Sequence, residues 1–265
     1  MRIGLITPDP GHPLLAATAA LLGARHEVEV LHPAAQAPAA VAAPADVYLL
    51  KARTPEALEL ARALEGAGAP VVNSAAATER CQDRTGMAAL ALGAGLPFAA
   101  TRTFGSLAGL ESAPELEWPL VVKSRRSRKD DLVVRLDGPA RLRELAPRWG
   151  REPVVTQAFA PNSGWDHKLW VVGDEVFAGV RRSELAAAGA EEDPGPGRLP
   201  EGWAELALRV GGAFGLDVYG VDVLATGDGD PLIVDVNAFP GIRGQAGAPE
   251  ALAALTLRRA AGARP

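Results

Sequence analysis

Cysteine is almost absent from this chain of 265 residues, since Cys81 is the only one. An internal disulfide is therefore excluded, and a zinc site built on cysteine thiolates is not expected. Histidine is scarce as well. The four histidines, at positions 12, 26, 32 and 167, do not cluster, so a histidine-based metal site is not expected either.

An excess of positive charge is also missing, because 27 Lys and Arg stand against 32 Asp and Glu, a formal net charge of −5. Dedicated nucleic-acid binders usually have a basic face, so we expect no nucleic-acid partner. No stretch approaches the roughly 20 apolar residues of a membrane helix, and the first residues lack the apolar run of a signal peptide. We expect a cytoplasmic protein with no membrane partner, folded as one large domain or two to three lobes.

The first 77 residues alternate between short apolar runs and helical stretches of about ten residues, which is typical of a parallel α/β layer. The expected strands are Arg2–Thr7, Glu27–Leu31, Asp46–Leu50 and Ala69–Val72, and the expected helices are Leu14–Leu22 and Pro55–Leu64. Such layers often bind ligands where their strands end, here near Pro8–His12 and Asn73. Because Pro8–Gly11 is not a dinucleotide fingerprint, a plain connecting loop is the competing interpretation.

Two further segments follow, residues 78–155 and 156–265. In the first, Thr78 is expected to cap a helix from Glu79 to about Leu92. The expected strands are Trp118–Lys123, Leu132–Leu136, Val154–Gln157, Lys168–Val172, Glu175–Val180, Val218–Ala225 and Leu232–Val236. The expected helices are Leu142–Trp149, Trp203–Phe214 and Pro249–Ala260.

The stretch from Tyr219 to Asn237 carries the most specific pattern. Asp228-Gly229 is a strong signal for a two-residue hairpin turn, and with that turn Asp222 lies directly opposite Asp235. Opposed side chains on one face are about 5 Å apart, and Asn237, two residues further along, shares that face. The same register predicts the pairs Gly227–Asp230 and Leu224–Ile233, and places Val221, Val223, Val234 and Val236 on the other face, in the core.

Two opposed carboxylates repel each other, so something must offset the repulsion. Either one carboxyl keeps its proton or a cation lies between them. Two aspartates and an asparagine suit a hard cation, Mg²⁺ or Mn²⁺, rather than zinc. The competing interpretation is that the strands splay or slip in register and expose both acids to water.

Lysine occurs only at positions 51, 123, 129 and 168. Lys123 and Lys168 lie in or at the ends of apolar strands, where a buried ammonium needs an anionic partner. Taken alone, each is a strand-end lysine that reaches solvent. Together with a magnesium site, they look like the other half of a nucleoside-triphosphate site.

In their order along the chain, these motifs resemble the ATP-grasp superfamily. The matching segments are Asp83-Arg84 at the start of a helix, Pro119–Lys123, Gln157–Phe159, Gly164–Gly173, Arg181-Arg182, Gly220–Asp222 and Asp235–Gly241. The resemblance spans about residues 78 to 245. It implies an α/β protein with α+β lobes, in which an N-terminal Rossmann-like domain precedes two lobes with the nucleotide cleft between them.

The resemblance also implies roles for individual residues. Asp222, Asp235 and Asn237 match magnesium ligands, with Asp235 bridging two ions. Lys123 and Arg84 match contacts to the phosphates of ATP, and Gln157, Ala158 and Phe159 match the lining of the adenine pocket. Lys168 matches a basic residue at the phosphates or the substrate, Arg182 an arginine near the transferred phosphoryl group, and Arg243 the loop beside the acceptor.

Within the superfamily, the last motifs are similar to both ribosomal-protein glutamate ligases and inositol polyphosphate kinases. The expected function is an ADP-forming carboxylate–amine ligase that forms an acyl phosphate on a small molecule or peptide. A small-molecule kinase and a nucleotide-binding module without turnover are the alternatives. Neither the acceptor nor the oligomeric state is fixed by the sequence, and a homodimer remains open.

The chain departs from the family pattern in two loops. Ser124–Asp131 contains no glycine where many members have a glycine-rich loop, so it could supply cations to the phosphates or the acceptor, or form a solvated hairpin tip. Ala187–Gly197 is acidic, which disfavours a highly phosphorylated inositol as substrate.

Overall fold

The computed structural model describes residues 1–35, 44–113, 115–183, 185, 199–227 and 229–262. These residues form three four-stranded sheets with helices packed against them. The acidic loop expected at Ala187–Gly197, and Asp228 of the expected hairpin turn, lie outside the described residues. No helix in the described ranges is both long and apolar enough to cross a membrane.

The first sheet is the parallel layer that the sequence predicts. Its strands are β1 (Arg2–Ile6), β2 (Glu27–Leu31), β3 (Val47–Leu50) and β4 (Val71–Val72), and its helices are α1 (Pro13–Gly23) and α2 (Pro55–Gly66). The strand order is β2-β1-β3-β4, with all pairs parallel. Thr54 caps α2 with its side chain, and Pro55 occupies the first helical position, which fixes where that helix begins.

The central sheet is antiparallel, in the order β5-β8-β6-β7. Its elements are β5 (Thr101–Phe104), a 3₁₀ turn at Ala108–Ser112, β6 (Leu120–Ser124), β7 (Val133–Leu136), α5 (Pro139–Trp149) and β8 (Val154–Ala158). Two short helices precede it, α3 (Ala75–Arg80) and α4 (Arg84–Gly93).

The prediction of a single helix from Glu79 to about Leu92 is therefore wrong. One helix ends at Arg80 and a second begins at Arg84. Ser74, not Thr78, caps the first of the two helices. Asp83 caps the second by accepting a hydrogen bond from the backbone N–H of Thr85. The strong capping preference of aspartate outweighs the helix propensity of its neighbours.

The third sheet is also antiparallel, in the order β10-β9-β11-β12. Its strands are β9 (Asn162–Val172), β10 (Glu175–Arg182), β11 (Val218–Thr226) and β12 (Asp230–Ala238), accompanied by α6 (Trp203–Phe214) and α7 (Ala248–Gly262). The central and third sheets approach each other where Lys123 of β6 donates a hydrogen bond to the carbonyl of Val234 in β12, 2.6 Å away.

Buried apolar side chains divide unevenly among the sheets. The first sheet shares one core with the third, in which Ile3 and Leu5 pack with Val218, Phe239 and residues of α7. Helices α3, α4 and α6 complete the core under the other face of the third sheet. The central sheet has a separate core, which contains Val122, Leu136, Leu142 and Val154.

Asn73 joins the first sheet to the third. Its side chain is fully buried, and its amide nitrogen donates to the carbonyl of Val218, 2.6 Å away. Its amide oxygen accepts from the backbone N–H groups of Asp217 and Val218 at 2.8 and 2.9 Å. Asn73, which the strand pattern placed near a ligand, thus holds two parts of the fold together.

Asp222 pairs with Asp235, as the sequence predicts, but the hairpin between them is irregular. Near the turn, Thr226 pairs with Asp230 and Leu224 with Leu232, one residue away from the predicted register. The connection is therefore three residues long rather than two, with Gly229 in a left-handed conformation (φ +97°). A β-bulge at Val234 then restores the predicted register before the aspartates.

The bulge also reverses two side-chain assignments. Val234 was expected in the core, but it is only partly buried and lines a pocket between the sheets. Ile233 takes the core position and is fully buried, together with Val221, Val223 and Val236. A shift of one residue in a strand moves a side chain to the opposite face of the sheet.

Candidate functional site

The paired aspartates have separate basic partners. Lys168, opposite Asp222 on β9, places its Nζ atom 2.6 Å from Asp222 Oδ1. Arg84 Nη2 is 3.5 Å from Asp235 Oδ2. Burial raises the pKa of Asp222, an effect that the charge of Lys168 opposes and the charge of Asp235 reinforces.

Arg84 reaches Asp235 because the break between α3 and α4 places it in the first turn of α4, facing inward. Its side chain is 7% exposed. The Nη1 atom donates to Asp131 at 2.6 Å and to the carbonyl of Ser124 at 2.8 Å, while Nε is buried without a hydrogen-bond partner among the described residues. Arg84 thus connects the basic loop to the carboxylate pair.

The oxygen atoms around the carboxylate pair fit a hard divalent cation. Asn237 lies two residues beyond Asp235 on the same face, so two carboxylates and one amide are grouped on this face. Magnesium prefers such oxygen ligands. No cluster of three His, Cys, Asp or Glu side chains that could hold a metal occurs in the described ranges. On this face, Asp222, Asp235 and Asn237 are the side chains that could hold such a cation.

Lys123 lies beside this group, at the junction of the central and third sheets. It is 5% exposed. Burial lowers the pKa of its ammonium group, and the charge of Asp235 opposes that shift. Its hydrogen bond goes to the carbonyl of Val234, the residue that the bulge leaves without a cross-strand partner. A buried ammonium next to carboxylates is suited to contact a phosphate.

A small apolar pocket continues from Lys123 between the two antiparallel sheets. Its walls come from β6, from the end of β8 and from the β11–β12 hairpin, and include Val121, Gln157, Ala158, Phe159, Leu224, Leu232 and Val234. Gln157 donates to the hydroxyl of Thr101 at 3.1 Å, and the guanidinium of Arg135 stacks 3.9 Å from the ring centre of Phe159. The volume of this pocket, about 60 Å³, is below that of most ligand pockets.

The structure assigns Arg181, rather than Arg182, to the site face of β10. Arg182 pairs with Trp165, whereas Arg181 pairs with Asp166, two residues from Lys168. Since alternate residues of a strand share a face, Arg182 points to the side opposite Lys168. Arg181 Nε is 3.5 Å from Asp166 Oδ2, and its charge opposes the raised pKa that burial gives Asp222. Arg181, and not Arg182, therefore lies on the face of β10 that Lys168 shares, and the role expected for Arg182 stays a prediction.

The basic loop Ser124–Asp131 is held at its base rather than free over the site. The backbone N–H of Arg84 donates to the carbonyl of Arg125, and that of Ser127 donates to the carbonyl of Gln82. Two of its arginines are already paired with acids, Arg125 with Asp83 at 2.9 Å and Arg128 with Glu152 at 2.6 Å. The remaining basic residues of this loop, Arg126 and Lys129, form no salt bridge with the residues that the structure describes.

A larger cavity, of about 490 Å³, opens on the other side of Lys168. It is lined by Leu50–Arg53, Lys168, Trp170 and Asn237–Gly241, and Arg243 lies beside it, close to where a side chain at Gly241 would be. Lys51 and Arg53 did not stand out in the sequence. The end of β3 meets the end of β12 because the first and third sheets pack against each other, a contact between distant parts of the chain that one sequence does not reveal.

Comparison with known proteins shows which family and fold this chain resembles. The family described as RimK-like ATP-grasp domain matches residues 108–250. The solved structure of a RimK domain ATP-grasp protein from Sphaerobacter thermophilus is 27% identical, covers 97% of this chain and 100% of its own, and superposes with a TM-score of 0.76.

Two curated relatives match a shorter stretch. A probable alpha-L-glutamate ligase of Rhodopirellula baltica is 36% identical over 99 residues, which is 34% of this chain and 24% of the relative. A ribosomal protein bS6–L-glutamate ligase of Escherichia fergusonii is 35% identical over 99 residues, 34% of this chain and 32% of the relative. The match thus spans between a quarter and a third of these relatives, whose names are those of ligases.

The family match extends over more than half of the chain and includes β9 to β12, which carry the paired aspartates, Lys168 and Asn237. The similarity over the full length to a protein of the same family accounts for the first sheet as well. The resemblance and fold class expected from the motifs are therefore confirmed: the chain belongs to the RimK-like ATP-grasp family.

Proposed function

We propose that the protein is an ATP-dependent, ADP-forming ligase that joins a carboxylate to an amine. The observation that carries this proposal is the pairing of Asp222 with Asp235 beside Lys123 and Lys168, in a chain whose family relatives are named as ligases. The acceptor is proposed to be a small molecule or a peptide.

In this proposal, Asp222, Asp235 and Asn237 hold Mg²⁺ or Mn²⁺, which supplies neutralisation of phosphate charge when bound. Lys123 binds the phosphates of ATP from the central sheet, and Arg84 orients Asp235 while itself held by Asp131. Gln157, Ala158 and Phe159 line the adenine pocket, which must widen when the nucleotide enters because its volume is small.

The proposed reaction has two steps, a phosphoryl transfer to the carboxylate and an acyl transfer to the amine. An oxygen of the substrate carboxylate bonds to the γ-phosphorus of ATP, and the bond to ADP breaks. The amine nitrogen then bonds to the carbonyl carbon, phosphate leaves with the C–O electron pair, and the amine loses a proton. In this proposal Lys168 and Arg181 offset charge on the transferred group, and fixed cations of this kind typically contribute on the order of 10²-fold or more to the rate.

The test is an ADP-release assay with purified protein, ATP and magnesium, run over a panel of carboxylic acids with hydroxylamine as the amine and over a panel of alcohols. ADP release that needs the acid, together with a hydroxamate product, is the expected result, because hydroxylamine captures an acyl phosphate. ADP with a phosphorylated alcohol would indicate a kinase instead. Nucleotide binding with no turnover across the panel would indicate a binding module. We place this activity in the cytoplasm, as the sequence suggested.

A further inference from the structure

The basic loop Ser124–Asp131, in which this chain departs from the glycine-rich pattern, ends in two adjacent acids with different surroundings. Asp130 is exposed and has a left-handed backbone conformation (φ +57°), which aspartate tolerates better than most residues. The side chain of Asp131 is only 13% exposed and contacts Arg84. The chain therefore turns at Asp130 and directs the carboxylate of Asp131 into the protein.

Arg84 joins the two ends of this loop. Its Nη1 atom donates to the carbonyl of Ser124, at the start of the loop, and to Asp131, at its end, at 2.8 and 2.6 Å. Ser124 is fully buried; its N–H donates to the carbonyl of Leu132 at 2.8 Å, and its Oγ atom accepts from the N–H of Leu132 at 3.0 Å. Both acceptors of Nη1 thus belong to the base of one hydrogen-bonded hairpin, which fixes the position of that atom.

The other side of the same guanidinium lies near Asp235 without a close contact. Nη2 is 3.5 Å from Asp235 Oδ2, whereas hydrogen bonds between arginine and a carboxylate are usually about 2.7–2.9 Å long and often bidentate. The side chain of Arg84 is 7% exposed, so water can do little to satisfy its charge. The short bond of this buried arginine goes to Asp131 and not to the nearby metal-ligand candidate.

Arg84 has the donors for a closer pair with Asp235. Its Nε atom is buried without a hydrogen-bond partner among the described residues. Nε and Nη2 lie on one side of a guanidinium and together can bind both oxygens of a carboxylate. The contact between Nη1 and Asp131 opposes such a pair, because it holds the guanidinium from its other side.

This opposition matters for a cation at Asp235. A carboxylate that accepts two hydrogen bonds from an arginine has fewer lone pairs left for a metal ion, and its charge is largely offset. Residues that hold the partners of metal ligands commonly change metal affinity or activity by about 10- to 100-fold. The division of Arg84 between two acids therefore decides how much of Asp235 is left for the metal.

We infer that Asp131 is a positioning residue for the metal site: it keeps Arg84 from forming a bidentate pair with Asp235 and so leaves that carboxylate free to bind the cation. Asp131 acts through Arg84 and is not itself a ligand. This inference rests on the proposed function, because it needs Asp235 to bind the metal.

The experiment measures Mn²⁺ binding to the full chain, by calorimetry and electron paramagnetic resonance, in the presence of a non-hydrolysable ATP analogue. Asp131→Asn removes the charge at nearly constant size, and we expect the Kd for Mn²⁺ to rise about 10-fold or more. Asp131→Glu keeps a carboxylate for Nη1 and should retain most of the affinity. Asp130→Asn is the matched control, because it removes the same charge from the exposed neighbouring position, and it should bind Mn²⁺ as the wild type does.

A double-mutant cycle with Arg84→Gln separates positioning from a direct effect of charge. If Asp131 acts through Arg84, Asp131→Asn should change the Kd for Mn²⁺ much less in the Arg84→Gln background than in the wild type. Thermal unfolding checks the fold of every variant, and Asp131→Ser provides a second removal of the charge should Asp131→Asn be unstable.

Two further measurements distinguish this role from a merely structural one. In the ADP-release assay, the defect of Asp131→Asn should be a higher magnesium requirement that excess magnesium overcomes, with kcat restored at saturation. A crystal structure of Asp131→Asn should show Nε and Nη2 of Arg84 within about 3 Å of the Asp235 carboxylate.

Each outcome decides the inference. An unchanged Kd for Mn²⁺ in a folded variant without the Asp131 charge overturns it, as does an equal loss in Asp130→Asn or in the Arg84→Gln background, while the proposed function stays intact. Absence of Mn²⁺ binding to the wild type with the ATP analogue counts against the proposed function itself, and the inference then falls with it.

Discussion

Asp222 and Asp235 lie opposite each other on neighbouring strands, and each faces a cation from a different part of the chain. Lys168 contacts Asp222 from the same sheet, while Arg84 contacts Asp235 from the start of α4. The two carboxylates can share one face of the sheet because each has its own counter-charge. The arrangement makes the contribution of each carboxylate open to test.

Asp235→Asn is expected to lower kcat/KM for ADP release by at least about 10²-fold, because a neutral amide is a weaker magnesium ligand and no longer offsets phosphate charge through the metal. The fold should persist, since the side chains are of equal size and Arg84 keeps its bond to Asp131. The measurements are ADP release over a range of magnesium concentrations and thermal unfolding. Asp174→Asn, at an exposed turn, is the control. Near-normal turnover in Asp235→Asn would remove the metal assignment.

Arg181→Gln and Arg182→Gln form a matched pair that tests the face assignment of β10. Removing Arg181, which shares the face of Lys168, should lower kcat on the order of 10-fold to 100-fold through loss of a fixed cation. Removing Arg182, on the opposite face, should change kcat little. Steady-state ADP release at saturating ATP gives the comparison. A larger loss in Arg182→Gln would restore the assignment made from the sequence alone.

Ile233→Ala and Val234→Ala test the bulge. Ile233 is fully buried, so its truncation should lower the free energy of unfolding by about 2–5 kcal/mol. Val234 lines the small apolar pocket, so its truncation should cost only about 1 kcal/mol of stability and act mainly on the KM for ATP. Chemical denaturation and ATP titration measure the two effects. The reverse ranking would indicate a regular hairpin with Val234 in the core.

Lys51 should make stability depend on pH. In the folded protein its pKa is lowered to about 8 from an ordinary value of 10.5. Below pH 8 both states carry the proton, so the cost of burying the ammonium is fully present. At higher pH the folded state loses that proton first, so the unfolding free energy rises until the unfolded state also titrates.

The expected result is that wild type gains stability relative to Lys51→Met between about pH 7 and about pH 9.5. Other groups titrate in both proteins and cancel in the difference between their unfolding free energies. Denaturant titrations at the two pH values measure it. A difference that stays constant with pH would show that the ammonium of Lys51 is as well solvated in the folded state as in the unfolded one.

The pairing of Asp222 with Asp235 was predicted correctly, partly because two departures from the predicted hairpin cancel each other. The connection is one residue longer than the Asp-Gly signal indicates, and the bulge at Val234 adds one residue on β12, so the register is restored at the aspartates. Turn signals describe only the turn, whereas a bulge depends on what packs on both faces of the strand. The prediction was therefore right at the aspartates and wrong at Leu224 and Val234.

Other features of the site could not be predicted from the local pattern of residues along the chain. The break before Arg84 follows from the cap formed by Asp83: the family resemblance placed the start of a helix there, whereas helix propensity alone predicted one continuous helix. The face of Arg181 needed the register between β9 and β10, which no turn signal fixed. Lys51 and Arg53 lie beside the loop after β12 because the first sheet packs on the third, and such packing joins elements that are distant in sequence. The limits 1–77, 78–155 and 156–265 remain our proposal for the lobes.

The separate core under the central sheet has a mechanical consequence. The first and third sheets share apolar side chains and are joined by the three hydrogen bonds of Asn73, so we expect them to move as one platform. The central sheet has its own core, so we expect that it can rotate as a unit with little exposure of the other cores. Because Lys123 is part of β6 in the central sheet, such a rotation would move its ammonium group toward or away from Asp235. We expect crystal forms with and without nucleotide to differ by this hinge movement, while the platform superposes unchanged.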